Sequence, residues 1–358
     1  MKMQSTPHPS KMNGPVPLSF CILLHSDGKI DRLIDRPLDE YLAAIPAVSL
    51  AWIDCSTKDD EKEIEKIAQA ARFIKIPIPK LTTGFYSAYE DYDTELGIML
   101  PSVTVKGEKT TVHPLFILIR DNFIITVHSD EINRLLRLSR YAPQFFKRIS
   151  TESTPDKMTL MLERIIDENN DRNFEYLREI EMHGDTISRS LIEENVAKRQ
   201  IAHDIYRMKH VLIDYLNVLW ATKDVVDSLR YGDADIITND EKLLGRIGIL
   251  SDNIDRHIEL SEQMSNVLSS GLEVMQSIYN NQLQNMNNRF ALVTAYLTVL
   301  GTAFLVPNTI ATIAGSGIMR GTMAEQWWYL PLLVISTVVA TLFSFLWVLH
   351  VWRKKEDY

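Results

Sequence analysis

The chain has 358 residues and a mass of 41.1 kDa, with 46% hydrophobic and 24% charged residues and a mean hydropathy of −0.08, the profile of an ordinary water-soluble protein. Its 47 acidic against 38 basic side chains leave a net charge of −9, with no basic face or RNA-binding motif, which argues against a nucleic-acid partner. Cys21 and Cys55 are too few for a disulfide framework and lack CxxC spacing, so they read as small buried apolar residues in a reducing compartment.

Residues 1–16 place Pro, His and Gly where a signal peptide would have an apolar core, and they read as a disordered N-terminus. From 17 to 130, short β-rich runs alternate with helical patterns. Leu18–Leu24, Ala47–Cys55, Leu96–Val105, His113–Ile119 and Asn122–His128 are predicted strands, the last two forming a hairpin around Arg120-Asp121-Asn122. Asp59–Phe73 is a predicted helix with Ile64, Ile67, Ala68 and Ala71 on one face and acids at its start. The pattern is that of an α/β domain whose sheet is covered by helices.

Residues 131–289 read as a helical stalk. Ile201, Ile205, Met208, Leu212, Tyr215, Leu219, Val226 and Leu229 follow a seven-residue repeat, as in a helix packed along others. Tyr231–Asp240 is a polar break. A second long helix then starts near Glu241, with Ile247, Leu250, Ile254, Ile258, Leu268, Leu272, Met275 and Tyr279 on its apolar side. No Pro lies between Pro155 and Pro307, so nothing stops that helix before the apolar C-terminus, and Glu241–Met319 would extend on the order of 100 Å.

Phe290–Met319 and Gln326–Trp352 contain no Asp, Glu, Lys or Arg, and each exceeds the roughly 20 residues that cross a bilayer core. The spans are placed at 290–318 and 329–352, with an external loop at 319–328 and a tail at 353–358. Arg353, Lys354 and Lys355 follow the second span, which places them, and with two crossings both termini, on the cytoplasmic side of the cell's inner membrane. Trp327, Trp328, Tyr329, Trp347 and Trp352 sit at span ends, where aromatic side chains anchor to the bilayer surface.

Two helices cannot enclose an aqueous path, so transport would require an oligomer with one span per subunit lining it. At 100° per residue, Thr294, Thr298, Thr302, Thr309, Thr312 and Ser316 fall within an arc of roughly 80°, interrupted by Leu305, and Asn280 and Asn287 extend it backward. Ser336, Thr337, Thr341 and Ser344 of the second span are scattered by comparison. A hydroxyl stripe suits a hydrated cation, because neutral oxygens can hold its water shell. The plainer alternative is that each hydroxyl bonds its own backbone or packs on a neighbouring helix.

WIDCSTKDDEKEIEKIAQAARF, YEDYDTELGIML and LFILIRDNFIITVH resemble the cytoplasmic domain of CorA-type magnesium transporters, and Leu297–Gly315 resembles that family's first span. The resemblance covers essentially the whole chain in order. It implies a CorA-like funnel, a homopentamer with a long pore-lining helix, a peripheral second span, and flow of Mg²⁺ or Co²⁺ down its electrochemical gradient. It assigns Leu305 to a hydrophobic gate and Asn287 or Asn288 to a ring at the inner mouth; the stripe favours Asn287. The family's GMN tripeptide is absent, and Ser316-Gly317-Ile318 stands at the outer mouth in its place. The acidic pair of its Mg²⁺ sensor aligns with Thr82-Thr83, leaving Asp252 and Asp255 as candidate regulatory ligands.

Other candidates carry less. Asp59-Asp60-Glu61, Glu90-Asp91-Asp93 and Asp233-Asp235-Asp240 read as solvated helix starts or loops, and His113 and His128 as strand residues of the sheet. His203 and His210, seven apart on a helix, are roughly 10 Å apart, too far for one metal. No GxxxxGK[ST] stretch and no Ser/His/Asp or Cys/His arrangement occurs, so neither a nucleotide nor a catalytic site is expected. The sequence therefore points to a non-enzymatic divalent cation channel without a resident cofactor, passing Mg²⁺ and also Co²⁺ or Ni²⁺, its partners being copies of itself, the lipid bilayer and the ion. A zinc transporter of the same fold and a non-conducting membrane scaffold or sensor are the alternatives.

Overall fold

The computed structural model describes residues 19–57, 60–73, 86–106, 109–132, 134–190, 198–231, 234–315 and 329–356. The chain divides into two compact units, Met1–Leu272 and Glu273–Tyr358. The expected disordered segment, the Thr82-Thr83 pair, Asp59, Asp233 and the external loop lie outside the described residues.

The first unit is built on a seven-stranded sheet. Its strands are β1 (Ser19–Leu24), β2 (Ile30–Ile34), β3 (Leu50–Thr57), β4 (Ala88–Tyr92), β5 (Glu95–Lys106), β6 (Lys109–Arg120) and β7 (Phe123–Ser129), in spatial order β2-β1-β3-β7-β6-β5-β4. All neighbours are antiparallel except β3 and β7, which run parallel. Phe20–Leu24, Leu50–Ile53 and Phe123–Val127 are buried throughout, because central strands covered on both faces are largely apolar along their whole length, Thr126 being a hydrogen-bonded exception that accepts from Trp52 Nε1 at 3.1 Å. The predicted β6–β7 hairpin closes with Arg120 opposite Phe123, its two-residue turn placing Asp121 at φ +49°, a region that Asp tolerates better than most residues. Asn122 in the same turn donates through Nδ2 to the Val48 carbonyl at 2.6 Å, fixing the turn against the entry to β3.

One face of the sheet packs against α1 (Leu38–Ala44) and α2 (Asp60–Ala70), where Ile64, Ile67, Ala68 and Ala71 are buried as predicted. The other face is covered by α3 (Arg134–Ile149), α4 (Thr154–Asn170), α5 (Asn173–Ser190) and α6 (Lys198–Arg230). All eight heptad positions of α6 from Ile201 to Leu229 are buried.

Polar side chains pin this helical layer to the sheet. The buried Arg134 of α3 donates to the Val103 carbonyl of β5, the Asn169 carbonyl of α4 and the Tyr176 hydroxyl of α5. Asn169 donates to the Pro101 carbonyl at 3.0 Å, and the Tyr215 hydroxyl of α6 donates to the Asn173 carbonyl at 2.7 Å. His128, a sheet residue as expected, is buried beside Asp54 across the parallel β3–β7 pair, Nε2 to carboxylate 3.2 Å.

The helix α7 (Glu241–Gly315) follows the polar break. Asp240 caps it, its carboxylate accepting from the Lys242 and Leu243 amides at 2.8 and 3.2 Å. Ile247, Leu250, Ile254, Ile258 and Leu268 are buried as expected, whereas Leu272 and Met275 are half-buried and Tyr279 is 58% exposed. The covered side of α7 within this chain thus ends sooner than the apolar pattern. The last helix is α8 (Tyr329–Glu356).

Candidate functional site

The second unit holds the C-terminal part of α7 together with α8, which among the described residues are the helices long and apolar enough to cross a membrane. From Phe290 to Gly315, α7 has no Asp, Glu, Lys, Arg or His, so any cation there would meet only neutral oxygen. The helix continues through Pro307, whose missing N–H leaves the Ala303 carbonyl without its usual partner four residues on.

Two faces of this helix are distinguishable. Leu292, Ala295, Val299, Ala303, Val306 and Ile310 are half-buried at three- and four-residue spacing. The hydroxyl stripe is turned about a third of a turn from them. Thr294, Thr298, Thr309 and Thr312 are exposed on it, as are Asn280 and Asn287, and Leu305 interrupts it at 67% exposure. Thr302 stands at the border of the two faces and is half-buried. Ser316, Gly317 and Ile318 lie outside the described residues.

Thr302 apart, the described threonines of the stripe donate to their own helix. Thr294 bonds the Phe290 carbonyl at 2.9 Å, Thr298 that of Thr294 at 2.9 Å, Thr309 that of Leu305 at 2.7 Å and Thr312 that of Asn308 at 2.6 Å. This is the backbone bonding that the plainer reading anticipated, and it also has a chemical consequence. A hydroxyl has one proton and two lone pairs, so a threonine whose proton is held by the helix presents its oxygen as an acceptor. The outer surface of a hydrated cation consists of water hydrogens, which need acceptors. A strongly hydrated divalent ion that keeps its water meets in such a column the polarity it requires.

The hydroxyls of the second span, spread over a wider arc than the stripe, all lie on its half-buried side. Ser336, Thr337, Thr341 and Ser344 are all half-buried, with Leu333 and Ala340 on the same face. Ser336 and Thr337 bond the Leu333 carbonyl and Thr341 that of Thr337. Ser344 instead meets the stripe: Thr302 Oγ1 donates to Ser344 Oγ at 2.8 Å, with the Val299 and Thr298 carbonyls also in reach at 2.9 and 3.1 Å. The sequence singles Ser344 out from the other hydroxyls of the second span in no way, because its partner is on another helix and no periodicity within α8 reveals it.

In the first unit, Asp252 and Asp255 face cations of α6. Lys223 Nζ lies 2.9 Å from Asp255 and Arg230 Nη1 4.0 Å from Asp252. Among the described residues no group of three or more His, Cys, Asp or Glu side chains is arranged to hold a metal. His203 and His210 do not meet: the first takes part in a 3.3 Å contact with Arg207, and the second stacks edge-on against Tyr206.

The family profile described as CorA-like Mg²⁺ transporter protein matches residues 48–354. The cobalt/magnesium transport protein CorA of Methanocaldococcus jannaschii is 23% identical over 325 residues, covering 89% of this chain and 95% of that protein. The complete structure of the CorA magnesium transporter from Methanocaldococcus jannaschii has a TM-score of 0.66 at 19% identity, covering 92% of this chain and 96% of its own. The structure of the full-length CmaX protein has a TM-score of 0.60 at 15% identity, covering 96% of this chain and 100% of its own. Both carry the likeness from the mixed sheet through the long helices to the two C-terminal apolar helices.

Proposed function

Since the chain belongs to the CorA-like Mg²⁺ transporter family, whose members move divalent cations and are not enzymes, we propose that it passes Mg²⁺, and with it Co²⁺ and Ni²⁺, along the hydroxyl face of α7. The observation that supports this reading is the exposed column Thr294, Thr298, Thr309 and Thr312, each with its proton directed to its own backbone and its oxygen open. Asn280, Asn287, Thr302 and Ser316 extend the column, and Leu305 forms a hydrophobic gate within it. Ser316-Gly317-Ile318 forms the outer mouth.

One chain has one such face, so the path is closed by copies of the chain, five in the arrangement that the family resemblance implies. Both termini are cytoplasmic in this reading, and the membrane potential drives the ion, contributing about 2.3 kcal/mol per charge per 100 mV, hence roughly 4.6 kcal/mol for a divalent ion. Asp252 and Asp255 serve as regulatory ligands once a divalent ion displaces Lys223 and Arg230.

The test is flux into liposomes containing the purified chain, with Mg²⁺, Co²⁺, Ni²⁺ and Zn²⁺ offered in turn under an imposed potential. Potential-driven Mg²⁺ entry is expected. Zn²⁺ entry driven by a pH gradient would make the chain a zinc transporter, and the absence of flux for every ion would make it a membrane scaffold.

A further inference from the structure

Among the described residues, the stripe and the second span touch through the polar contact of Thr302 with Ser344, and it differs in kind from the other hydroxyl contacts around it. The remaining described threonines of the stripe bond backbone carbonyls of their own helix, so their oxygens keep their direction as long as the helix is intact. Thr302 has three acceptors within 3.1 Å, two carbonyls of its own helix and the Ser344 hydroxyl, and one proton to give. Which acceptor receives that proton decides where the lone pairs of the Thr302 oxygen point. Thr302 is also the stripe member at the border between the half-buried and the exposed face, three residues before Leu305.

On α8, Ser344 is the hydroxyl through which the second span answers the stripe. Ser336, Thr337 and Thr341 are bonded within α8, whereas Ser344 lies 2.8 Å from the other helix. Ala340 and Ser336, one and two turns before it on the same half-buried face, are small, and small residues are what allow two apolar helices to approach within hydrogen-bonding distance.

We infer that Ser344 is a positioning residue for the ion path: by accepting the hydrogen bond of the Thr302 hydroxyl it turns the Thr302 oxygen, and so sets how the column just below Leu305 receives a hydrated cation. This rests on the reading of the stripe as the path. Ser344 itself touches no ion. Its effect is on the ion concentration at half-maximal flux and on the ranking of ions, more than on the amount of protein assembled.

The experiment is flux in proteoliposomes of the full chain for Mg²⁺, Co²⁺ and Ni²⁺, comparing wild type with Ser344→Val, Ser344→Thr, Thr302→Val and the Ser344→Val/Thr302→Val double variant, each first matched by size-exclusion profile. Valine and threonine have nearly the same shape, so the pair isolates the hydroxyl. Ser344→Val is expected to shift half-saturation or the Mg²⁺:Co²⁺ flux ratio about threefold, the factor that corresponds to an interhelical hydrogen bond of about 0.6 kcal/mol. Ser344→Thr should restore wild-type values, and Ser344→Val should change nothing further once Thr302 is Val.

Equal shifts in Ser344→Val and Ser344→Thr, or an additive double variant, would reduce Ser344 to a packing residue and overturn the inference. Unchanged flux in Ser344→Val overturns it as well; where Ser344→Val assembles poorly, half-saturation and ion ranking left untouched by Thr302→Val overturn it instead. Thr298→Val and Thr309→Val separate the two levels: if these also leave flux unchanged, the stripe is not the path, whereas if they reduce it while Ser344→Val does not, the path stands and only the positioning role falls.

Discussion

The Lys223 ammonium of α6 lies 2.9 Å from the Asp255 carboxylate of α7 and 3.0 Å from Asp227 on its own helix, with the buried Ser251 hydroxyl 3.2 Å away. Two carboxylates from two helices thus share one resident cation. Lys223→Gln removes it and leaves the carboxylates facing each other, which should lower stability by about 1 kcal/mol for a pair that is partly solvated. Divalent ions should then raise the unfolding temperature of the variant more than that of wild type. An equal Mg²⁺ response in thermal unfolding of the two proteins would show that Asp255 takes no divalent ion.

Leu305 interrupts the oxygen column with an exposed apolar side chain, and a ring of such side chains closes a path by excluding water. Leu305→Ser should raise divalent leak into liposomes at zero potential. Unchanged leak counts against the gate.

Loss of an acceptor in the column should act in the opposite direction. Thr298→Val keeps the shape of the side chain, and in the proposed path it reduces the rate by on the order of threefold for each subunit-equivalent contact weakened, whereas Thr298→Ser keeps the oxygen and should pass ions as wild type does. Initial rates of Mg²⁺ entry decide this.

Arg134 is buried and donates to two carbonyls and one phenol from three different elements. Arg134→Leu leaves the Val103 and Asn169 carbonyls without that donor in the interior, at a cost of about 3 kcal/mol. Chemical unfolding of the purified chain should show the loss, with the flux of the folded fraction unaltered.

Asp156 gives a pH dependence with a definite sign. Hydrogen bonds from Ser153, at the cap of α4, and from Thr238 hold its carboxyl below the usual carboxylate range. A folded value below the unfolded one means that the stabilisation is present above about pH 4, the unfolded value, and is lost as pH falls through the lower folded value. Asp156→Asn should therefore unfold earlier than wild type at pH 7, and the two midpoints should converge on acidification toward pH 3. A constant gap across that range would mean that the charge is not what Ser153 and Thr238 stabilise.

The parts of the fold legible in the sequence are those where burial is uniform. The central strands are buried and mostly apolar, and the α6 heptad is buried at all eight predicted places. The strands that pattern reading passed over, Ile30–Ile34 and Ala88–Tyr92, are the two edges of the sheet. Their sequences, IDRLI and AYEDY, are charged because an edge must resist pairing with another chain, and that charge removes the alternation by which strands are recognised. Leu38–Ala44 is only seven residues long, too short to show a helical period. The threonine column was readable because it is periodic within one helix. The Thr302–Ser344 contact was not, since it joins positions 42 apart, and a distance of that kind leaves no trace in local spacing.

The parallel ladder between β3 and β7 brings together residues as far apart as Trp52 and Thr126, 74 positions along the chain. During synthesis the first strands must wait with one side open until Ser129 has left the ribosome, because loop closure over that length precedes any gain from pairing. After that point the sheet needs nothing from Phe290 onward. The chain's order separates its two folding problems in time, the sheet coming within reach before the first apolar helix is made.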